Sequence, residues 1–492
     1  MTSEIDQPGA TAPSGARLVM PIILLTIFTV PLSISGTAVS LGDIADDLGS
    51  SSTGEQWALN GYTLTFACST LIWGSIADII GRWRALMSGL VIFGVGSAMS
   101  LVAGNYLVLD VARLVAGAGA GAVFSVGTAV VSSNFEGERR TRAFALLGSV
   151  AGLSLAFGPS LCGLFTQVVG WRFVYGFQLG CLVIACLGMP LIRRAAAHEK
   201  RYAARIDVAG AVLFCVATTL TLGGLALGSA TGWLSLPFLL CTAAGFVAYG
   251  LFAWRESTAP SPLLSLRTLR NKRFSGMTLV VAVSSFTFTN AVAYLPVFFQ
   301  GAYDSSPGAS GAFLMFLTMP VLISPLIAGR LAARGTAVDT ILIWSIALMV
   351  VGLVATGAVA EQGLAWMTFP MVIVGAGFGL QAGLIDGEAL AQVPAKEAGM
   401  AAGWINTVRL GSEAIAVSLF GSLFASFAGS ADHASRQGFA AITIGSTLFA
   451  AVIGLLAIFL LRRGRHGEIP PQAQRLIARA SGPAPRRGAR SE

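Results

Sequence analysis

Four sets of ionisable or polar residues stand inside long apolar runs, where a charge is costly unless it is paired or hydrated. Asp110 and Arg113 are three positions apart, which puts them on nearly the same face of a helix. They form either a static ion pair or a group that helps to move a charge. Arg409 and Glu413 are one helical turn apart near the middle of another run. Desolvation pushes a buried carboxylate toward neutrality, and a neighbouring guanidinium pushes it toward charge. A site balanced between the two binds and releases a proton as its hydration changes. The other reading is a static pair that makes Arg409 tolerable. Asp386 and Glu388 lie close to the end of a third run, either as a solvated helix end or as an entry point for substrate or proton. The last set is neutral: Ser33, Gln178, Asn290, Gln381 and Asn406 either line a cavity or tie helices together by hydrogen bonds.

The surroundings of these residues identify the solvent. Of 492 residues, 55% are hydrophobic and 11% charged, with a mean hydropathy of +0.76. Soluble domains are about 25% charged, so most of this surface faces lipid. The net charge of +8 raises the possibility of nucleic acid. The basic residues, however, sit in short loops and at the tail and form no aromatic-interleaved patch, so no nucleic-acid partner is expected. The six cysteines (Cys68, Cys162, Cys181, Cys186, Cys215, Cys241) all fall inside apolar runs and read as small packing residues. The three histidines, His198, His433 and His466, lie in loops or the tail. No Lys follows a Gly, so there is no phosphate loop. Neither an enzyme, a metal site nor a cofactor is expected.

About twenty apolar residues span a bilayer. Fourteen such runs are predicted, at roughly 19–41, 55–77, 85–103, 107–132, 142–166, 173–192, 208–228, 234–254, 275–299, 309–332, 338–359, 365–389, 399–425 and 438–461. The fold class is therefore an all-α membrane protein. Among the 31 Lys and Arg, Arg172 and Arg436 fall in loops on one side, and Arg113 and Arg409 lie within runs. All the others collect on the opposite side, which positive charge marks as cytoplasmic, with both termini there. Residues 1–17 read as a disordered tail and 464–492 as a basic tail lying along anionic headgroups. Thr336 and Asp339 have capping-box spacing before the eleventh run.

The turn after the second run, Gly74 to Arg84, reads GSIADIIGRWR. Gly74 permits close helix approach, Asp78 sets a fixed charge at the membrane edge, and Gly81 permits a tight turn. Arg82 and Arg84 mark the cytoplasmic side. Its spacing resembles the G-x-x-x-D-x-x-G-R loop of the major facilitator superfamily. Gly329, Arg330, Arg334 and Gly335 echo it after the tenth run, without the acid. Further stretches resemble the fourteen-helix drug:proton antiporter branch. They are Trp57 to Leu64, Arg113 to Gly119 with Ala116 in place of the usual Gln, Trp171-Arg172, Tyr294 to Gln300, and Gly403 to Arg409. Gly158, Pro159 and Gly163 resemble the antiporter motif G-P-x-x-G-G, which that branch associates with exporters.

The resemblance implies the major facilitator fold: two six-helix bundles (18–193 and 275–463) joined by a linker with two inserted helices (194–274). It implies a monomeric, multi-pass carrier in the plasma membrane. Such a carrier exchanges protons for a small amphiphilic organic compound, such as a drug or antibiotic. It gives Arg113 a part in proton transfer and makes the 74–84 loop a cytoplasmic latch whose Asp78 meets a helix N-terminus near Thr336. The Gly158–Pro159 pair is expected to shape the interface between the halves and limit proton leak. One departure is serious. The branch carries an acid in helix 1 where this chain has Ser33, an Asn where it has Ala38, and a Pro where it has Gly42. Glu413 is the acid placed to substitute. The same departure keeps an importer or facilitator of a small metabolite as the alternative.

Overall fold

The computed structural model describes residues 16–49, 52–135, 137–195, 206–260, 262–394, 397–426 and 431–465. The first group of helices is α1 (Ala16–Leu48), α2 (Ser52–Ile80), α3 (Arg82–Leu101), α4 (Tyr106–Asn134), α5 (Gly137–Val168) and α6 (Arg172–Ala195). A hairpin, α7 (Val208–Thr231) and α8 (Leu236–Thr258), and a short α9 (Leu266–Arg270) follow. The second group is α10 (Lys272–Tyr303), α11 (Pro307–Ala333), α12 (Val338–Val359), α13 (Leu364–Gln381), α14 (Leu384–Ala391), α15 (Ala398–Ser426) and α16 (Ala431–Arg465). Among the described residues there is no strand, and 13 segments are long and apolar enough to cross a membrane. The remaining expected run is α15, whose 29 residues suffice in length but include Asn406, Arg409 and Glu413. The expected tails lie almost wholly outside the described residues, as do residues 196–205 and Lys396.

Each group packs into a bundle. In the first, α4 lies against both α2 and α3, and α1 lies against α5 and α6. In the second, α10 pairs with α16, and α13 with α11 and α12. The hairpin α7–α8 leans on α2 and α15. The bundles meet where α2 crosses α15 and α5 crosses α11. The turns bearing Arg82, Arg142, Arg255, Arg273 and Arg330 share one end of the molecule, here termed the basic end. The largest core cluster runs through the seam, joining Phe93, Val123 and Phe144 to Ile385, Ala401 and Ile405. At the opposite end, the cluster of Ile44, Ala58, Leu109, Trp171 and Tyr175 belongs to the first bundle alone. That of Phe288, Phe298, Met349, Met367 and Phe439 belongs to the second, with Leu155 of α5 at its edge.

Four local expectations are corrected. The 74–84 stretch is mostly helix: Gly74 and Asp78 belong to α2, Arg82 opens α3, and Gly81 alone separates them, at φ 92°. A single residue turns the chain because glycine tolerates positive φ. Second, α1 runs to Leu48, beyond the predicted end at residue 41, so Asp43, Asp46 and Asp47 lie on its last turns. Third, the Thr336 capping box does not form. The N-cap of α12 is Ala337, with no side-chain bond, and Asp339 is drawn to Arg273 instead. Fourth, the run at 365–389 is two helices, interrupted at Ala382 and Gly383.

Candidate functional site at the bundle seam

The break between α13 and α14 places a carboxylate at the seam. Gly383 has φ +75°, and a Cβ built on it falls 1.9 Å from the Phe144 carbonyl oxygen of α5. Only glycine allows this approach. Asp386, in the first turn of α14, then faces α15. Nη2 of Arg409 donates to its Oδ1 at 2.9 Å and its Oδ2 at 3.0 Å. Nη1 of Arg409 donates to Asn406 Oδ1 at 2.6 Å, and the guanidinium lies 5.7 Å from the Phe124 ring of the first bundle. The ion-pair side chains remain 17% and 13% exposed, so water reaches them. The static Arg409–Glu413 pair, one of the two readings of the sequence, does not form: no hydrogen bond joins the two, and the partner of Arg409 comes from a different helix. Glu413 stands half-buried one turn further from the basic end.

Arg113 is also re-partnered. It is 1% exposed, and its Nε donates to the Ala58 carbonyl at 3.1 Å. Nη1 donates to Ser33 Oγ at 2.7 Å and Nη2 to the Ser33 carbonyl at 3.3 Å. The Tyr62 ring lies 4.3 Å from the guanidinium carbon and the Tyr175 ring 5.7 Å. Asp110 forms no ion pair with Arg113; its Oδ1 is buried without a hydrogen-bond partner. The three-residue spacing is right for a shared face, but the long Arg113 side chain turns across to α1. Every acceptor it meets is neutral.

Glu388 is a pairing residue: Nη2 of Arg273 donates to it at 3.0 Å and lies 3.5 Å from Asp339. This triad joins α10, α12 and α14 at the basic end. Sequence reasoning assigned Arg273 and Asp339 only to loops and caps, because nothing local links residues so far apart.

Seam contacts at the basic end centre on two glycines. A Cβ on Gly74 falls 2.1 Å from the Gly399 carbonyl oxygen, so α2 and α15 touch backbone to backbone. Asp78 Oδ1 is 3.0 Å from the Cβ position of Gly399, at the first turn of α15. The expected partner near Thr336 is therefore replaced by a different helix N-terminus, where the peptide dipoles equally favour an anion. Arg82 is buried, and Arg84 lies 5.8 Å from the Trp83 ring. Thr70 and Thr407 bridge the seam by a 3.2 Å hydroxyl bond. Gly158 and Gly163 do not face the other half. The Cβ position of Gly158 lies 3.3 Å from Ser35, and that of Gly163 lies 3.5 Å from Val39, both on α1. Pro159, between them, is exposed. The motif thus shapes a contact inside the first bundle.

The neutral set does not converge. Ser33 (0%) and Gln178 (1%) are sealed in the first bundle, and neither amide atom of Gln178 has a partner. Asn290 (1%) donates to Ser446 Oγ at 3.0 Å and lines a cavity inside the second bundle with Leu317, Thr356 and Thr443. Gln381 ends α13 with Oε1 unpartnered, beside the break. Asn406 belongs to the Arg409 cluster.

The linker was missed as a seam element. Leu263 and Leu264 are 1% and 2% exposed and pack with Leu71 of α2, Phe252 of α8 and Met400 of α15. Ser75 donates to the Leu263 carbonyl, and Thr268 donates to Glu397. At the start of the hairpin, Asp207 caps α7 through the Gly210 amide and pairs with Arg255. Burial raises the Asp207 carboxyl, but Arg255 and the Gly210 amide outweigh it and hold the group below its usual value.

The family model described as Major Facilitator Superfamily matches residues 23–417. Multidrug resistance protein 3 of Bacillus subtilis (strain 168) is 24% identical over 416 residues, covering 83% of this chain and 80% of that protein. The tetracenomycin C resistance and export protein of Streptomyces glaucescens is 26% identical over 419 residues, covering 83% and 76%. The crystal structure of the human organic anion transporter MFSD10 superposes with a TM-score of 0.64 at 16% identity, covering 91% of this chain and 100% of that one. This last likeness concerns the fold.

Proposed function

The chain belongs to the Major Facilitator Superfamily, and on that premise we propose that it is a proton-coupled exporter of small amphiphilic organic compounds, such as drugs or antibiotics, working by alternating access. Relatives named for multidrug resistance and for tetracenomycin C resistance and export support the efflux part. One structural observation carries the coupling part. Arg409, Asp386 and Glu413 form a cluster of two acids and one base inside the membrane-spanning segments, at the seam where the bundles must part. A lone guanidinium balances one carboxylate at a time, so the cluster has room for one exchangeable proton. Glu413 is the acid without a hydrogen-bonded cation and is the proton carrier on this reading.

The basic end faces the cytoplasm, because Lys and Arg concentrate there, and the carrier sits in the plasma membrane as a monomer with both termini inside. The bundles are taken as 18–193 and 275–463, with the linker and hairpin between them. The basic end is closed around Gly74 and Gly399.

A second reading, a facilitator or importer of a small metabolite, is favoured by a different observation. Arg113 meets only neutral acceptors, because Ser33 stands where the antiporter branch has an acid. The test is proton release on substrate addition in proteoliposomes, comparing wild type with Glu413→Gln across lipophilic cations and neutral antibiotics. Release in the wild type and none in the variant supports the exporter. Substrate movement with no proton response in either sinks it in favour of the facilitator.

A further inference from the structure

The break at Ala382 and Gly383 and the Arg409 cluster are one device. The chain is unwound where it presses on α5, with Gly383 against the Phe144 carbonyl and the Ala382 carbonyl 2.5 Å from the Cβ position of Gly148. Those contacts cross from one bundle to the other. Asp386 follows the break by three residues, so its position depends on how α14 sits against α5. Arg409 reaches down from α15 to hold it. One helical turn the other way on α15 stands the second acid, Glu413, within the reach that i, i+4 side chains share.

Nearby charged groups are already engaged elsewhere. On α10, Arg273 is bound to Glu388 and Asp339. On α4, Arg113 is bound to Ser33 and Ala58, and Asp110 lies toward the opposite end of the helix. Among the described residues, the helices α2, α7 and α16 that also pack on α15 bring no charged side chain into an ion pair with Arg409, Asp386 or Glu413.

We propose that Arg409 has two alternative carboxylate partners, Asp386 while the basic end is closed and Glu413 once it opens. Movement of α14 away from α5 withdraws Asp386 from the guanidinium. Arg409 then pairs along its own helix with Glu413, whose proton leaves to water as the pair forms. Asp386, now alone at the hydrated basic end, stays a carboxylate in water. Closure restores the Arg409–Asp386 pair, and Glu413 takes up a proton from water on the other side, so one proton crosses per cycle. Asp386 is thereby a positioning residue that links the gate to the proton carrier. The proton transfers rest on the exporter reading; the link between Asp386 and the gate does not.

The test uses the full chain in proteoliposomes with its six native cysteines replaced and Ser125→Cys as reporter. Ser125 is 0% exposed and donates to the Gly399 carbonyl across the seam, so a cysteine there labels only when the seam opens. Asp386→Asn is expected to speed labelling about tenfold, the effect of losing roughly 1.4 kcal/mol of closed-state preference. Asp386→Glu restores the slow rate and guards against a misfolding artefact. Glu413→Gln leaves resting labelling slow. The pH profile of substrate-driven proton release shifts in Asp386→Asn. Labelling of Asp386→Asn at the wild-type rate overturns the proposal, as does an Asp386→Glu variant that labels as fast as Asp386→Asn. If the wild type releases no proton, the exporter reading fails by itself, and the labelling result still decides whether Asp386 holds the gate.

Discussion

Arg113 on α4 donates to both oxygens of Ser33 on α1, the side chain at 2.7 Å and the carbonyl at 3.3 Å. A small hydroxyl thus satisfies a fully buried guanidinium at the position where the antiporter branch that the sequence resembles places an acid. Leaving a buried donor unsatisfied costs about 1–3 kcal/mol. Ser33→Ala should therefore lower thermal stability in detergent by that order, whereas Ser33→Asp should raise it by supplying a charge partner. Equal melting temperatures for all three would mean that the hydroxyl contributes nothing to holding α1 on α4.

Gly74 and Gly399 bring α2 and α15 into backbone contact. A methyl at Gly74 would fall 2.1 Å from a carbonyl oxygen, so the helices must separate. Overpacking of this kind costs about 1–3 kcal/mol. That penalty falls on the seam-closed state alone. Gly74→Ala should insert normally, label faster at Ser125→Cys and transport more slowly. Slow labelling together with wild-type transport would show that the crossing is looser than its geometry requires.

Gly158 packs on Ser35 of α1 with a Cβ position 3.3 Å away. A methyl fits with a small shift, but a branched side chain does not. Gly158→Ala should transport close to wild type, and Gly158→Leu should transport poorly while still reaching the membrane. Normal transport by Gly158→Leu would remove any need for a tight α1–α5 contact.

Leu264 is buried between α2, α8 and α15 although it lies in a connection. Leu264→Ala should cost about 2–5 kcal/mol where its cavity does not collapse. It should also loosen the basic end, because the same side chain touches both sides of the seam. Circular dichroism melting gives the first effect and Ser125→Cys labelling the second; stability loss without faster labelling would confine Leu264 to a packing role.

The Asp207–Arg255 pair gives a pH signature. The folded-state carboxyl lies below its usual value, so its contribution is fully present above the unfolded pKa of about 3.9 and is lost as pH falls through the lower folded value. Arg255 is 36% exposed, so solvent screens the pair and the contribution is small. Asp207→Asn keeps the helix cap and removes the charge. Its stability difference from wild type should be constant between neutral pH and about 4 and shrink below that. A difference that persists in acid would assign the effect to packing.

Much of the fold was legible along the chain. Fourteen apolar runs gave thirteen spanning segments plus α15. Gly74 was recognised as a point of close approach, though its partner Gly399 was not. The site was half legible. Asp110, Arg113, Asp386, Arg409 and Glu413 all stood out as charges in apolar surroundings, but the static ion pairs weighed as one reading, Asp110 with Arg113 and Arg409 with Glu413, do not form. Arg409 chose Asp386, 23 residues away, over Glu413, and Arg113 chose Ser33, 80 residues away, over Asp110.

The sequence by itself determined the solvent, the helices and which residues are expensive to bury, because those follow from side-chain chemistry and chain length. Partner choice was left to the tertiary structure. Periodicity along one helix says which residues share a face, but not which neighbour that face meets. The meeting depends on how near two backbones come and how each helix is rotated. Here the backbone contact of Gly74 with Gly399 and the break at Gly383 fix both, and they carry the acid of α14 to the base of α15.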